Sequence, residues 1–150
     1  MLQLRGSQTT KLDGKGRIKL PVGFRSEIER EHGNEFYITS LKGDYIQLYP
    51  FAVWDEIEKD IGSRRAKRPV VKKFLRATSY YGQKALMDSQ GRLMLPQGLR
   101  ESARLEDEVR VVGSMNHLEI WREDTLKTAV ESNPWTDGDD EELSEIGIAG

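Results

Sequence analysis

The chain has no cysteine, which excludes disulfides and thiolate metal sites and leaves packing to hold the fold. Histidine occurs only at positions 32 and 117, with no partner at metal-ligand spacing, so neither His32 nor His117 marks a metal centre. No run approaches the ~20 apolar residues that cross a bilayer, and Met1 to Gly6 lacks an apolar stretch of signal-peptide length. A soluble, cytoplasmic protein with no membrane partner is therefore expected. A Gly-rich phosphate loop, a Gly-x-Ser-x-Gly elbow and a His-Glu-x-x-His helix are all missing, and with them the usual marks of catalysis. One further absence is local. No Asp or Glu lies between Asp60 and Asp88, an interval holding Arg64, Arg65, Lys67, Arg68, Lys72, Lys73, Arg76 and Lys84.

What is present is a phrase written twice. Asp13-Gly14-Lys15-Gly16-Arg17-Ile18-Lys19-Leu20-Pro21 returns as Asp88-Ser89-Gln90-Gly91-Arg92-Leu93-Met94-Leu95-Pro96, at a constant offset of 75 positions in a chain of 150. The same offset relates Phe24-Arg25 to Leu99-Arg100, and aromatic strand ends follow in each half at Ile46 to Tyr49 and Leu118 to Trp121. A period of half the chain signals a duplicated half-domain with approximate two-fold symmetry, not a solenoid. About 70% of the unfolded surface can be buried at this length, so one shared core is feasible.

Each half reads as two strands around an Asp-x-x-Gly turn, a helix opened by proline, a strand hairpin and a second helix. The strands fall near 9–12, 17–20, 35–39, 45–49, 84–87, 92–95, 109–112 and 118–121. Helices are expected over 21–31, 51–61, 96–104 and 122–130, and a further one after Pro69 that buries Val70, Phe74 and Ala77. From Asn133 onward acids, Pro and Gly dominate, and a mobile tail is expected. Two short-strand units, neither able to close its own sheet, suggest one β-barrel built from both halves.

Net charge is −2 and the isoelectric point about 5.8, which by themselves do not suggest a nucleic-acid partner. The distribution matters more, because the basic interval hides beneath an acidic tail of Asp137, Asp139, Asp140, Glu141, Glu142 and Glu145. Arg17 and Arg92 directly follow turn glycines, so each can project from a fixed backbone into a groove or onto a phosphate. Lys11, Lys15 and Lys19 surround Arg17, whereas the second copy has Gln90 and Met94, so the first repeat is expected to dominate contact. The plainer alternative is that Asp13 and Asp88 accept bonds within their turns, Gly16 and Gly91 are chosen for backbone conformation, and each arginine is only a salt-bridge partner. Likewise the 64–76 segment is either a DNA contact or a solvated helix face. Trp54, Trp121, Tyr49 and Phe51 read as core or subunit contacts. Paired aspartic-protease carboxylates are excluded, since Asp-Gly-Lys and Asp-Ser-Gln replace the required Asp-Thr-Gly or Asp-Ser-Gly.

With Arg5-Gly6, the turns Asp13 to Arg17 and Asp88 to Arg92, Phe24-Arg25, Leu48-Tyr49-Pro50, Phe74 and Leu118-Glu119-Ile120-Trp121, the sequence resembles the MraZ family of bacterial regulators over roughly residues 5 to 130. That resemblance implies an α+β, mainly β fold: a duplicated SpoVT/AbrB-type swapped-hairpin β-barrel closed within one chain, with peripheral helices. It divides the chain into repeats over 7–54 and 83–126, a helical basic connector over 55–82, and a helix end with acidic tail over 127–150. It further implies a nucleoid-associated repressor and autoregulator. As a ring-like homo-oligomer it binds double-stranded DNA at short G-rich direct repeats upstream of the division and cell-wall gene cluster, with Arg17 leading and Arg92 its counterpart. No cofactor and no small-molecule substrate are implied. The alternative from another class is an oligomeric protein-interaction or scaffold ring.

Overall fold

Pro21 and Pro96, each with fixed φ and no N–H to donate, end a short strand and open a helix in both halves. In the computed structural model, which describes residues 2–65 and 68–148, the first half runs β1 (Ser7–Lys11), β2 (Arg17–Lys19), α1 (Val22–His32), β3 (Glu35–Thr39), β4 (Ile46–Pro50), α2 (Phe51–Arg65) and α3 (Pro69–Tyr80). The second half repeats the order as β5 (Gln83–Leu86), β6 (Arg92–Met94), α4 (Gln97–Ser102), β7 (Glu108–Ser114), β8 (His117–Arg122), α5 (Glu123–Glu131) and α6 (Asp137–Glu145). The helix α4 is five residues shorter than α1 and the connection after it three residues longer, which is why the offset contracts by two, from 75 at Leu20 and Leu95 to 73 at Ile38 and Val111.

All ladders are antiparallel, and six strands form one sheet in the order β1-β7-β8-β4-β3-β5. That order is its own mirror under exchange of the halves. The first strand of each half lies on the hairpin of the other, with Thr9 opposite Arg110 and Phe36 opposite Ala85. At the centre β4 meets β8, placing Ile46 beside Ile120 and Leu48 beside Leu118. Strands β2 and β6 pair with each other as a two-stranded ribbon, which is tied to the end of β1 by an isolated bridge between Leu12 and Ile18. The closed barrel expected from the sequence is therefore corrected to an open six-stranded sheet and a ribbon. The reason is length: three residues between an Asp turn and a proline complete one short ladder and cannot also join both sheet edges. Polar β1 and Lys84 on β5 keep those edges unattractive for stray pairing.

A single core lies between the sheet, the ribbon and the helices. Ile18, Leu20, Phe24, Ile28, Phe36, Ile38, Ile46 and Leu48 come from the first half, and Leu93, Leu95, Leu99, Ala103, Val109, Val111, Leu118 and Ile120 from the second. These are equivalent positions. Trp54 is buried against Tyr37, with ring centroids 4.9 Å apart, and Trp121 stacks on Tyr45 at 4.1 Å, so these two tryptophans belong to the buried interior.

Two expectations need correction. Helix α3 buries Val71 and Thr78, not Val70, because the face turned inward is the 71-74-75-78 stripe. Phe74 does stack on Trp54, at 6.0 Å. The tail expected to be mobile contains α6, opened by a capping box in which the Thr136 hydroxyl accepts from Asp139 N–H and Asp139 accepts from Thr136 N–H. Its acids Asp137, Asp139 and Asp140 occupy the first turn, where the helix dipole favours negative charge.

Candidate nucleic-acid interface

Each Asp-x-x-Gly-Arg segment folds on itself in the same way. Asp13 Oδ1 accepts from the backbone N–H of Lys15 and of Arg17, both at 2.9 Å, while Oδ2 accepts from Arg17 Nε at 2.8 Å. Asp88 repeats this with Gln90, Arg92 and Arg92 Nε, all at 2.9 Å. Gly16 and Gly91 sit at φ of 87° and 79°, conformations that other L-residues adopt only with strain. The backbone N–H of Arg17 is the chief cause, and its guanidinium a lesser one, holding the Asp13 carboxyl below its ordinary value; Arg92 does the same to Asp88. The plainer sequence reading of these turns, with aspartate as organiser and arginine as its salt-bridge partner, is thus realised in both copies.

That pairing leaves part of each arginine in reserve. Only Nε is engaged by the aspartate; among the described residues no hydrogen bond reaches the Nη groups of Arg17 or Arg92, and about a quarter to a third of each side chain is exposed. The guanidinium plane is held while its far end stays available for a bidentate acceptor.

The ribbon decides how these groups are displayed. Its register sets Arg17 opposite Met94, Ile18 opposite Leu93 and Lys19 opposite Arg92. Alternation sends Ile18 and Leu93 inward, where both are fully buried, so Arg17, Lys19, Arg92 and Met94 share the outer face. Arg17 and Arg92 stand two residues apart along the ribbon, ~7 Å in that direction. Lys19 and Arg92, directly opposite with like charge, disfavour the ribbon by up to about 1 kcal/mol. With Lys15 exposed at the turn, four cations stand against the two carboxylates, a net of two positive charges. Lys11 closes β1, in register with Glu108, and adjoins the antiparallel bridge between Leu12 and Ile18 that joins the end of β1 to the ribbon near Lys19.

Two residues that fix this geometry were visible in the sequence only as an unexplained repeat. Arg25 reaches across to the second turn, where its Nη2 donates to Ser89 O at 2.9 Å and its guanidinium lies where a Gly91 side chain would be. At the first turn Arg100 likewise covers Gly16, but its hydrogen bond stays within its own half, from Nε to Leu95 O at 3.0 Å. Each half also lends a backbone bond to the other, Leu20 N–H to Gly91 O and Leu95 N–H to Gly16 O, both at 2.9 Å. The constant spacing of 25 and 100 was the available signal; the partner across the symmetry axis was not.

No cluster of three metal-ligating side chains occurs among the described residues, and no described helix is long and apolar enough to cross a membrane. In the connector, Arg68, Lys72, Lys73 and Arg76 are exposed on or beside α3, while Lys67 and the side chains of Arg64 and Arg65 lie outside the described residues.

The family model described as "MraZ protein, putative antitoxin-like" matches residues 3–76 and 82–141, one segment over each half. The chain belongs to the MraZ family. The MraZ match runs past the stretch on which the sequence resemblance was drawn, to within α6. Similar curated relatives are the protein named Transcriptional regulator MraZ of Acidobacterium capsulatum, 40% identical over 96% of this chain and 99% of its own length, and its namesake from Koribacter versatilis, 39% identical over the same shares. The MraZ protein of Tolumonas auensis is 35% identical over 80% of each chain. Among solved structures, that of PHS018 from Pyrococcus horikoshii covers 77% of this chain and 95% of its own, with 17% identity and a TM-score of 0.36.

Proposed function

We propose that this chain is a cofactor-free transcription regulator that grips duplex DNA with the outer face of the β2–β6 ribbon. The observation carrying the reading is that face itself: Arg17, Lys19 and Arg92, with Lys15 at the turn, on a two-stranded ribbon whose other side is pinned in the core. A two-stranded ribbon fits the major groove, where an arginine fork matches the O6 and N7 acceptors of guanine. Facing Lys19 with Arg92 works against the ribbon's own stability, and departures of that kind gather at functional sites. The relatives named as transcriptional regulators support the regulatory role.

In finer form, Arg17 and Arg92 read guanine, and Lys11, Lys15 and Lys19 contact phosphate. Asp13 and Asp88 aim the two arginines, and Gly16 and Gly91 set the turns. One ribbon supplies a few contacts and binds weakly alone. Copies joined head to tail in a ring convert later contacts into intramolecular ones and suit direct G-rich repeats better than palindromes. Repression of the chain's own gene cluster follows from occupying such repeats upstream of it.

Gel shifts at fixed salt against the chain's own upstream DNA and a scrambled duplex test this. Arg17→Ala keeps both backbone donors to Asp13, so the fold persists while affinity for the upstream sequence drops by about 5- to 150-fold, the worth of one bidentate base contact. Lys15→Ala lowers affinity for both duplexes alike and reduces the salt slope by about one contact. Equal binding of both duplexes by the unsubstituted protein would favour the scaffold alternative instead.

A further inference from the structure

We propose that α6 of one copy docks along the outward face of α3 of a second copy. With Val71 and Thr78 turned inward, the opposite side of α3 presents Val70 and Tyr80 at its ends and Lys72, Lys73 and Arg76 between them, with no acid. It is a helix face with apolar ends and a cationic middle.

The complement lies at the other end of the chain. Trp135 and Ile146 bracket α6, and Asp137, Asp139, Asp140, Glu141, Glu142 and Glu145 fill the interval with no base. The spans are comparable: ten residues from Val70 to Tyr80 are ~15 Å of helical rise, and Trp135 and Ile146 lie just outside the nine-residue α6, whose own rise is ~13 Å. Apolar anchors can therefore meet at both ends while acids face cations between. Asp139 accepts in the capping box and Asp140 accepts from Trp135 Nε1, which leaves Asp137, Glu141, Glu142 and Glu145 to face the three cations of α3 and Arg68 beside them.

Among the described residues neither surface is covered by the rest of its own chain; the Trp135 indole donates only to Asp140, within the start of α6 itself. Val70, Tyr80, Trp135 and Ile146 are all 63–81% exposed, and α6 buries no residue. Isolated helices under ~12–15 residues are marginal in water, so a nine-residue helix without packing gains from a surface to lie on. In chain order α6 occupies the place that α3 holds in the first half, yet α3 is seated on Trp54 through Phe74 and α6 buries none of its residues. A second copy satisfies both at once, since each chain gives one α6 and offers one α3 in a head-to-tail contact. The ribbon takes no part in the argument.

The absence of cysteine makes the test clean. Full-length chains carrying Lys73→Cys and Glu142→Cys are made separately, mixed in equal amounts and exposed to a mild thiol oxidant. Both positions are solvent-facing, and matching circular dichroism and melting curves establish that the fold is kept. The disulfide joining the two different chains is expected to exceed each like-with-like product by at least about fivefold, as effective concentration at a docked site dictates. Arg76→Glu in the Lys73→Cys chain, or salt near 1 M, where the screening length is about 3 Å, returns the yield to random pairing. Random pairing without those changes overturns the proposal. So does closure within one chain when both substitutions are placed in a single copy at high dilution. Should the first pair fold poorly, Arg76→Cys with Glu141→Cys reads the same contact. Arg17→Ala leaves the disulfide yield unchanged, so failure of docking and failure of duplex binding are read separately.

Discussion

A single carboxylate organises each turn. Asp13 and Asp88 each take two backbone N–H donors on one oxygen and an arginine Nε on the other, so deleting either charge loosens the guanidinium as well as the loop. Both carboxyls are held below the ordinary value of 3.8, with the arginine backbone N–H as leading cause. A lowered folded-state pKa adds stability that is complete above the unfolded value and is lost as pH falls through the folded one. The acid limb of stability should therefore begin below about pH 4, and Asp13→Asn with Asp88→Asn should flatten it, as urea midpoints at pH 3 and pH 7 would report. An unchanged acid limb would sink that account. At this scale the sequence was readable for Asp13, Gly16 and Arg17, because the whole turn is local. Arg25 and Arg100 were not, since the atoms they brace are 64 residues away for the first, and five residues plus the opposite turn for the second.

At the scale of elements, proline and apolar spacing located the strands and helices closely, apart from α6 and the rotation of α3. Both lapses have physical causes. The α6 segment has a strongly acidic composition that argues for disorder, while its Thr136–Asp139 capping box argues for a helix start, and the local bonds prevail. In α3 the choice between burying Val70 and Val71 depends on where Trp54 sits, which no helical periodicity contains. Because α6 buries none of its residues, Thr136→Ala should remove about 1 kcal/mol of helix stability without moving the global melting temperature. Hydrogen exchange should quicken over residues 137–145 alone; protection lost throughout the sheet would contradict this.

For the whole molecule, the ladders cross between halves. β1 needs β7, β5 needs β3, and the ribbon needs one strand from each. Fragments 1–66 and 82–150 are accordingly expected to show no cooperative thermal unfolding by circular dichroism when separate, and to regain it on mixing. A fragment that melts cooperatively by itself would refute the shared core. The sequence alone determined that the chain is a duplicate, where its turns lie and which residues alternate into a core, because these depend on local conformation and on the period of the pattern. Tertiary structure decided that the sheet stays open, that Ile18 and Leu93 turn inward so that Arg17, Lys19, Arg92 and Met94 face out together, and that each half's arginine braces the other's glycine. Those outcomes rest on register and on contacts across the pseudo-two-fold axis, where residues remote in sequence compete for one place and only the folded chain says which of them fits.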